Sequence, residues 1–232
     1  MISTPGRLSS ANDIPPSTIT CSPLKEYKKT ADKWQNEISK LEKLDESEKY
    51  TKNAILFIGS SSIRLWKTIN QDLEAYEPIK RGYGGARYTD LIHFTERLVS
   101  PHNVEAVGIF VANDITGGGN DLSPMEVFDL TKLIVKQIRK THKKAIFFIE
   151  TTPTLKRWKA WPKISLANDL IKEYCESKNS LYYISTRNHY IGDNGLPTEE
   201  LFIRDKLHLN SKGYLLWSDI IKENLKNIVG SN

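Results

Sequence analysis

The feature that most constrains the fold is the stretch between Ile55 and Trp66, where an apolar run meets a glycine and three consecutive serines. Residues 55–58 are apolar without interruption, which is typical of a strand buried on both faces of a parallel sheet. Gly59 and the serines at 60–62 then lead into a helical pattern. Open α/β sheets bind ligands at the carboxyl ends of their strands, so we expect a functional site at these serines.

The rest of the chain alternates short apolar strands with helices. Further strands are predicted at residues 77–80, 104–112, 145–150 and 181–184. Ser123 and Glu126 have the spacing of a capping box, and Asn210 precedes a last amphipathic helix. This alternation indicates a parallel α/β sandwich.

The chain before the first strand has a different character. Residues 1–22 are rich in Ser, Thr and Pro and are predicted to be disordered or loosely packed. An apolar stripe from Leu24 to Leu41 predicts one helix laid over the domain, followed by a charged connector to residue 53. Residues 54–229 are predicted to form the main domain.

Composition and charge exclude several classes of protein. The net charge of +5 comes from scattered cations, so we expect no nucleic-acid partner. No apolar run reaches about 18 residues, so we expect no membrane span. Residues 1–20 contain no signal peptide, which fits a cytoplasmic chain as written, or a secreted or periplasmic one if a leader was trimmed. Cys21 and Cys175 form no metal motif and are expected to be free thiols.

Four polar groups lie where the predicted strands end or just before the last helix. They are the serines at 60–62, the glycine-rich turn at 82–85, Asn113 with Asp114, and Asp205 with His208. Acyl transfer needs a hydroxyl nucleophile, an imidazole base, a carboxylate that orients the imidazole, and donors for the oxyanion. The four groups together supply each of these and predict a serine hydrolase.

Each group also has a purely structural explanation when it is taken alone. The serines could cap a helix, and the glycines and the Asn-Asp pair could simply form turns. The Asp-x-x-His motif could be a surface ion pair or half of a metal site, although no further ligand is spaced around it. Asp90 and His93 repeat its spacing within a predicted helix, where a helix-face contact is favoured, so we predict that His208 is the base.

The order of these motifs resembles the four sequence blocks of the SGNH (GDSL-type) hydrolases, over residues 54–226. Aligned on Gly59 and Trp66, the resemblance places Ser61 at the nucleophile position, with Asp205 and His208 completing a catalytic triad. It implies a three-layer α/β/α sandwich with a five-stranded parallel sheet, flavodoxin-like. It also implies an esterase or lipase that needs no cofactor and no metal.

The same resemblance implies which groups bind the oxyanion. The backbone N–H groups of Ser61 and Gly85 and the side-chain amide of Asn113 match the family positions. The chain departs from the family pattern at Ser60, which replaces an aspartate, and at residues 111–112, where the usual glycine is missing.

The run of Arg157, Trp158 and Trp161 further resembles a subgroup whose substrates are carbohydrate esters. Aromatic faces suit sugar rings, so these residues are predicted to bind substrate, as are Tyr83 and Arg87 in the glycine-rich turn. Alternatively, both tryptophans belong to the core of the following helix. The predicted substrate is a short-chain, chiefly acetyl, ester of a small molecule or oligosaccharide.

Two other functions remain open at this stage. The chain could hydrolyse lipid esters or thioesters, or it could be a non-catalytic sugar-binding module on the same scaffold. The sequence leaves the oligomeric state and the compartment open.

Overall fold

The computed structural model describes residues 23–230; the predicted loose segment 1–22, with Cys21, lies outside them. The strands are β1 (Ile55–Gly59), β2 (Pro78–Gly82), β3 (Ala106–Phe110), β4 (Ala145–Ile149) and β5 (Leu181–Ile184). All pair in parallel, in the order β2-β1-β3-β4-β5. The predicted α/β architecture is confirmed, and the strand order is that of flavodoxin-like sheets.

Helices cover both faces of the sheet. They are α1 (Pro23–Glu26), α2 (Lys28–Asp32), α3 (Gln35–Ser47), α4 (Ser61–Leu65), α5 (Ile69–Asp72), α6 (Tyr88–Val99), α7 (Pro124–Ile138), α8 (Trp161–Glu176), α9 (Arg187–Tyr190) and α10 (Ser211–Ile228). Short 3-10 helices occupy Glu74–Tyr76, Leu155–Ala160 and Glu199–Leu201. No helix in the described chain is long and apolar enough to cross a membrane.

The strands divide the core into two layers. Leu56 and Ile58 face the layer that contains α2, α3, α6, α7 and α8. Ile55 and Phe57 face the layer that contains α4, α5 and α10. Because both faces are covered, every residue of β1 is buried, as its unbroken apolar run predicts.

The N-terminal stripe forms three helices instead of the single predicted helix. The helical path is interrupted at Tyr27 and again at Lys33 and Trp34. The second break turns the Trp34 indole toward α6, where its Nε1 donates to Asp90 Oδ2 at 3.1 Å. The same ring packs against Tyr83, with a centroid distance of 5.4 Å. Tertiary contacts of this kind override a helical pattern in the sequence.

Gly59 brings the end of β1 close to β3. Its φ of +131° suits glycine, and a Cβ at this position would lie 1.9 Å from the Phe110 carbonyl oxygen. The close approach lets Ser60 N donate to that oxygen at 2.8 Å. The serine turn is therefore held between β1 and β3, where the strand order reverses and a crevice opens.

Candidate active site

Ser61 is the first residue of α4 and lies just beyond the carboxyl end of β1. Its Oγ is 3.0 Å from Nε2 of His208, although 147 residues separate the two in sequence. His208 reaches this position from the loop before α10. The structure therefore brings the predicted nucleophile and the predicted base within hydrogen-bonding distance.

Asp205 holds the other side of the imidazole. Its Oδ2 is 2.6 Å from His208 Nδ1, and its Oδ1 accepts hydrogen bonds from the backbone N–H groups of Leu207 and His208, both at 2.9 Å. A carboxylate at Nδ1 favours the tautomer with its proton there, so Nε2 is left to accept the Ser61 hydroxyl.

The surroundings of Asp205 keep this carboxyl charged. Partial burial acts to raise its pKa, but the hydrogen bonds from His208 and Leu207 outweigh burial and hold the pKa below its usual value. The loop that contains Asp205 and His208 is held in place by a hydrogen bond from Ile203 N to His208 O at 2.9 Å and by a β-bridge between Phe202 and Leu209.

Asn113 lies beyond the carboxyl end of β3, beside the serine turn. Its Nδ2 donates to the Ala86 carbonyl at 2.8 Å, which links it to the turn that contains Gly85. Gly85 has a φ of +70°, and the ring of Trp34 lies against it. Two predicted oxyanion donors are thus on adjacent loops joined by a direct hydrogen bond.

The next residue, Asp114, strengthens the same link. Both of its carboxylate oxygens accept from the backbone N–H of Tyr88 at the start of α6, at 2.9 and 3.1 Å. Burial raises the pKa of Asp114 to about 6, against the effect of the Tyr88 hydrogen bond and the Arg87 charge. The Asn-Asp pair therefore serves as a structural connection as well as a candidate site.

Two backbone donors remain available at this edge of the sheet. Within residues 23–230, no hydrogen bond uses the backbone N–H of Ser61 or of Gly85. Ser61 N belongs to the first turn of α4, where helical N–H groups have no partner within the helix.

An open hollow of about 400 Å³ lies beside the Ser61 hydroxyl. Ser61, Asn113, Arg157 and His208 contribute to its wall. The apolar part of the wall is formed by Phe110, Leu207 and Leu209, and the wall also includes Thr152 and Thr154. The hydroxyls of these two threonines are buried and have no hydrogen-bond partner in the described chain. Neither threonine was predicted as a site residue, although both follow β4 at the same edge of the sheet.

The predicted substrate-binding residues do not all reach this hollow. Trp158 and Trp161 are partly buried and stack on each other, with ring centroids 6.0 Å apart and planes 14° apart. Tyr83 is only 1% exposed and packs in the core. Arg87 donates to the carbonyl oxygens of Asp114 and Asn120. None of these four lines the hollow, which leaves their role in binding as a prediction.

Arg157 does line the hollow, but protein oxygens hold its guanidinium. Nη1 donates to the Ala112 carbonyl at 2.5 Å, and Nη2 donates to Asn113 Oδ1 at 2.7 Å. A residue predicted to contact substrate therefore contacts a predicted oxyanion donor.

The second Asp-x-x-His pair is arranged differently from Asp205 and His208. Asp90 is fully buried and its Oδ2 accepts from Trp34 Nε1 and from the backbone N–H of Arg87. His93 Nε2 is buried without a partner, and no hydrogen bond joins the two residues in the described chain. This pair lacks the carboxylate–imidazole contact that orients a base.

Solved structures of hydrolases resemble this fold. A GDSL-like lipase from Bacteroides thetaiotaomicron aligns with a TM-score of 0.71 at 16% identity, covering 82% of this chain and 97% of the lipase. An acetyl xylan esterase aligns with a TM-score of 0.63 at 20% identity, covering 74% and 99%. A carbohydrate esterase family 3 protein from Talaromyces cellulolyticus has a TM-score of 0.59 at 15% identity, covering 76% and 98%. No protein-family model matches the chain, and no curated protein matches it significantly.

Proposed function

We propose that this chain, which has the fold of the SGNH hydrolases, is a carboxylic ester hydrolase with Ser61 as its nucleophile. The observation that carries the proposal is the continuous hydrogen-bonded series from Ser61 Oγ through His208 to Asp205, at 3.0 and 2.6 Å. A serine that merely caps a helix has no need of an imidazole that is itself held by a carboxylate.

The proposed reaction proceeds through an acyl-enzyme. His208 Nε2 takes the proton from Ser61 Oγ as that oxygen attacks the ester carbonyl, and the imidazolium then protonates the departing alcohol. Asp205 stabilises the imidazolium and keeps its orientation. A water molecule, deprotonated by the same imidazole, attacks the acyl group and releases the acid with Ser61 restored.

The negative charge that develops on the carbonyl oxygen needs donors. The backbone N–H groups of Ser61 and Gly85 and the second N–H of Asn113 Nδ2 are proposed for this role, because the first Nδ2 hydrogen goes to Ala86 O. Such donors act mainly in the transition state and therefore raise kcat.

We propose short-chain, chiefly acetyl, esters of carbohydrates as the substrates. Two features support this choice: the wall of the hollow mixes apolar and hydroxyl side chains, and a tryptophan pair lies on the chain that follows Thr154. Two structures with the same fold are an acetyl xylan esterase and a carbohydrate esterase. A GDSL-like lipase also has this fold, so a lipid or thioester is the second candidate substrate.

The proposed function is tested with a panel of chromogenic esters that differ only in acyl length. We expect acetyl ester turnover, as kcat/KM, to exceed that of an eight-carbon acyl ester by at least about tenfold, since a small acyl site penalises each extra methylene. Faster turnover of the long-chain ester would favour the lipid substrate. No hydrolysis of any member, with sugar binding retained, would favour a binding module.

The tryptophan pair allows a test of whether the alcohol part of the substrate is a carbohydrate. Trp161 stacks on Trp158, contacts the Arg187 guanidinium and packs against the core, whereas the ring of Trp158 stacks on Trp161 and lies further from the core. Trp158→Ala should therefore raise KM for an acetylated oligosaccharide by about threefold to tenfold, and Trp161→Ala by less, with a small acetate ester unaffected.

Lys159→Ala serves as the matched control for Trp158→Ala, because its exposed side chain belongs to the same 3-10 helix. Equal KM changes for the oligosaccharide and the small acetate would contradict a sugar-binding role for Trp158. A fall in melting temperature without any change in KM would assign both rings to packing.

A further inference from the structure

Arg157 is a partly buried arginine whose guanidinium contacts the side chain of a predicted oxyanion donor. Its guanidinium donates to two oxygens of the segment after β3, the Ala112 carbonyl at 2.5 Å and Asn113 Oδ1 at 2.7 Å. Arg139 likewise donates only to carbonyl oxygens, whereas Arg81 is paired with Asp45 and Glu48, and Arg187 with Glu150 and Asp169. No ion pair within residues 23–230 involves Arg157.

The positive charge of Arg157 therefore has a desolvation cost in this position. Burial lowers the pKa of Arg157, and the more distant charges of Asp121 and Asp114 act in the opposite direction. A guanidinium nevertheless stays protonated at physiological pH. The chain thus maintains a cation, without a paired carboxylate, in the wall of the hollow beside Ser61.

The contact with Arg157 determines how the Asn113 side chain is oriented. A guanidinium only donates, so the atom that faces it must be the amide oxygen. Nδ2 then faces the Ala86 carbonyl at 2.8 Å and uses one of its two hydrogens there. The second hydrogen remains for a ligand. Withdrawal of electron density from Oδ1 by the cation also makes Nδ2 a stronger donor.

We infer that Arg157 is a positioning residue for the oxyanion site, which orients and polarises the Asn113 amide so that it binds the developing negative charge. This inference rests on the proposed function. The oxyanion is charged in the tetrahedral intermediate and only weakly polar in the ester, so the contribution of Arg157 should appear in kcat more than in KM.

A double-mutant cycle with a chromogenic acetate tests the inference. Arg157→Met should lower kcat by about 10- to 100-fold, the loss expected for one charge-assisted hydrogen bond, with KM within about twofold. Asn113→Ala should lower kcat by about 10²–10³-fold. Because Arg157 acts through Asn113, the double variant should be no slower than Asn113→Ala alone.

Three further variants separate positioning from folding. Arg157→Lys keeps the charge but loses the planar guanidinium that donates to two oxygens at once. Its kcat should therefore lie between those of the unmodified chain and Arg157→Met. Lys159→Met, on the same 3-10 helix and exposed, should leave kcat unchanged. Millimolar guanidinium added to Arg157→Ala should restore part of the lost kcat, which relief of a folding defect would not produce. If Arg157→Met does not fold, Arg157→Lys alone and combined with Asn113→Ala completes the cycle.

Several outcomes would overturn the inference. Losses that multiply in the double variant would show that Arg157 acts independently of Asn113. A raised KM with unchanged kcat would assign Arg157 to substrate binding. If the unmodified chain hydrolyses no ester at all, it is the proposed function that fails; the two failures are therefore distinguishable.

Discussion

Ser61→Ala is expected to lower kcat for a chromogenic acetate by at least about 10⁴-fold, because the substitution removes the atom that attacks the carbonyl. The residual rate would come from the oxyanion donors and from substrate binding. The fold should survive, since within residues 23–230 the substitution deletes one side-chain hydrogen bond, the one to His208. Circular dichroism and the melting temperature check the fold, and initial rates at saturating substrate measure kcat.

The neighbouring serines provide matched controls for Ser61→Ala. Ser60→Ala and Ser62→Ala should each retain substantial activity, because neither hydroxyl contacts His208 in the described chain. The Tyr214 hydroxyl donates to the backbone carbonyl of Ser62, so that contact survives the substitution. An inactive Ser62→Ala beside an active Ser61→Ala would move the nucleophile by one residue.

His208→Ala is expected to cause a loss of similar size, about 10⁴-fold or more in kcat, because the Ser61 hydroxyl then has no base. The surrounding loop should keep its form, since His208 contributes to it through its backbone N–H and carbonyl, which alanine retains. Added imidazole should restore part of the activity if the cavity left by the side chain admits it. Rates with and without imidazole, measured on protein of unchanged melting temperature, provide the check.

His93→Ala is the matched control for His208→Ala, because His93 also stands three residues after an aspartate. It should leave kcat within about twofold, since its ring makes no hydrogen bond to Asp90. A loss on His93→Ala, with His208→Ala active, would transfer the role of base to the pair in α6.

Local patterns were sufficient to predict the strands and the longer helices of the α/β domain. The unbroken apolar run of β1 predicted a strand buried on both faces, and all of its residues are buried. The capping-box spacing of Ser123 and Glu126 predicted the start of α7, where Ser123 Oγ accepts from Glu126 N. Such features depend on neighbours within about four residues, which is why the sequence alone reveals them.

The N-terminal stripe shows where local patterns fail. Its spacing is helical from Leu24 to Leu41, yet the chain forms three helices. At the second break, Trp34 contacts Asp90 and Tyr83, which lie about fifty residues further along the chain. Periodicity contains no information on such partners, so tertiary contacts override it.

By itself, the sequence determined the α/β class and the set of polar residues at the carboxyl edge of the sheet, because each rests on short-range spacing or residue chemistry. Only the tertiary structure decided which of these residues meet. Ser61 and His208 are 147 residues apart yet 3.0 Å apart in space, whereas the equally spaced Asp90 and His93 form no pair. Arg157, predicted to bind substrate, lines the hollow and also binds Asn113, which is 44 residues away in sequence. The physical reason is that a buried polar group is paired by whatever the fold places beside it, and chain spacing alone does not specify that neighbour.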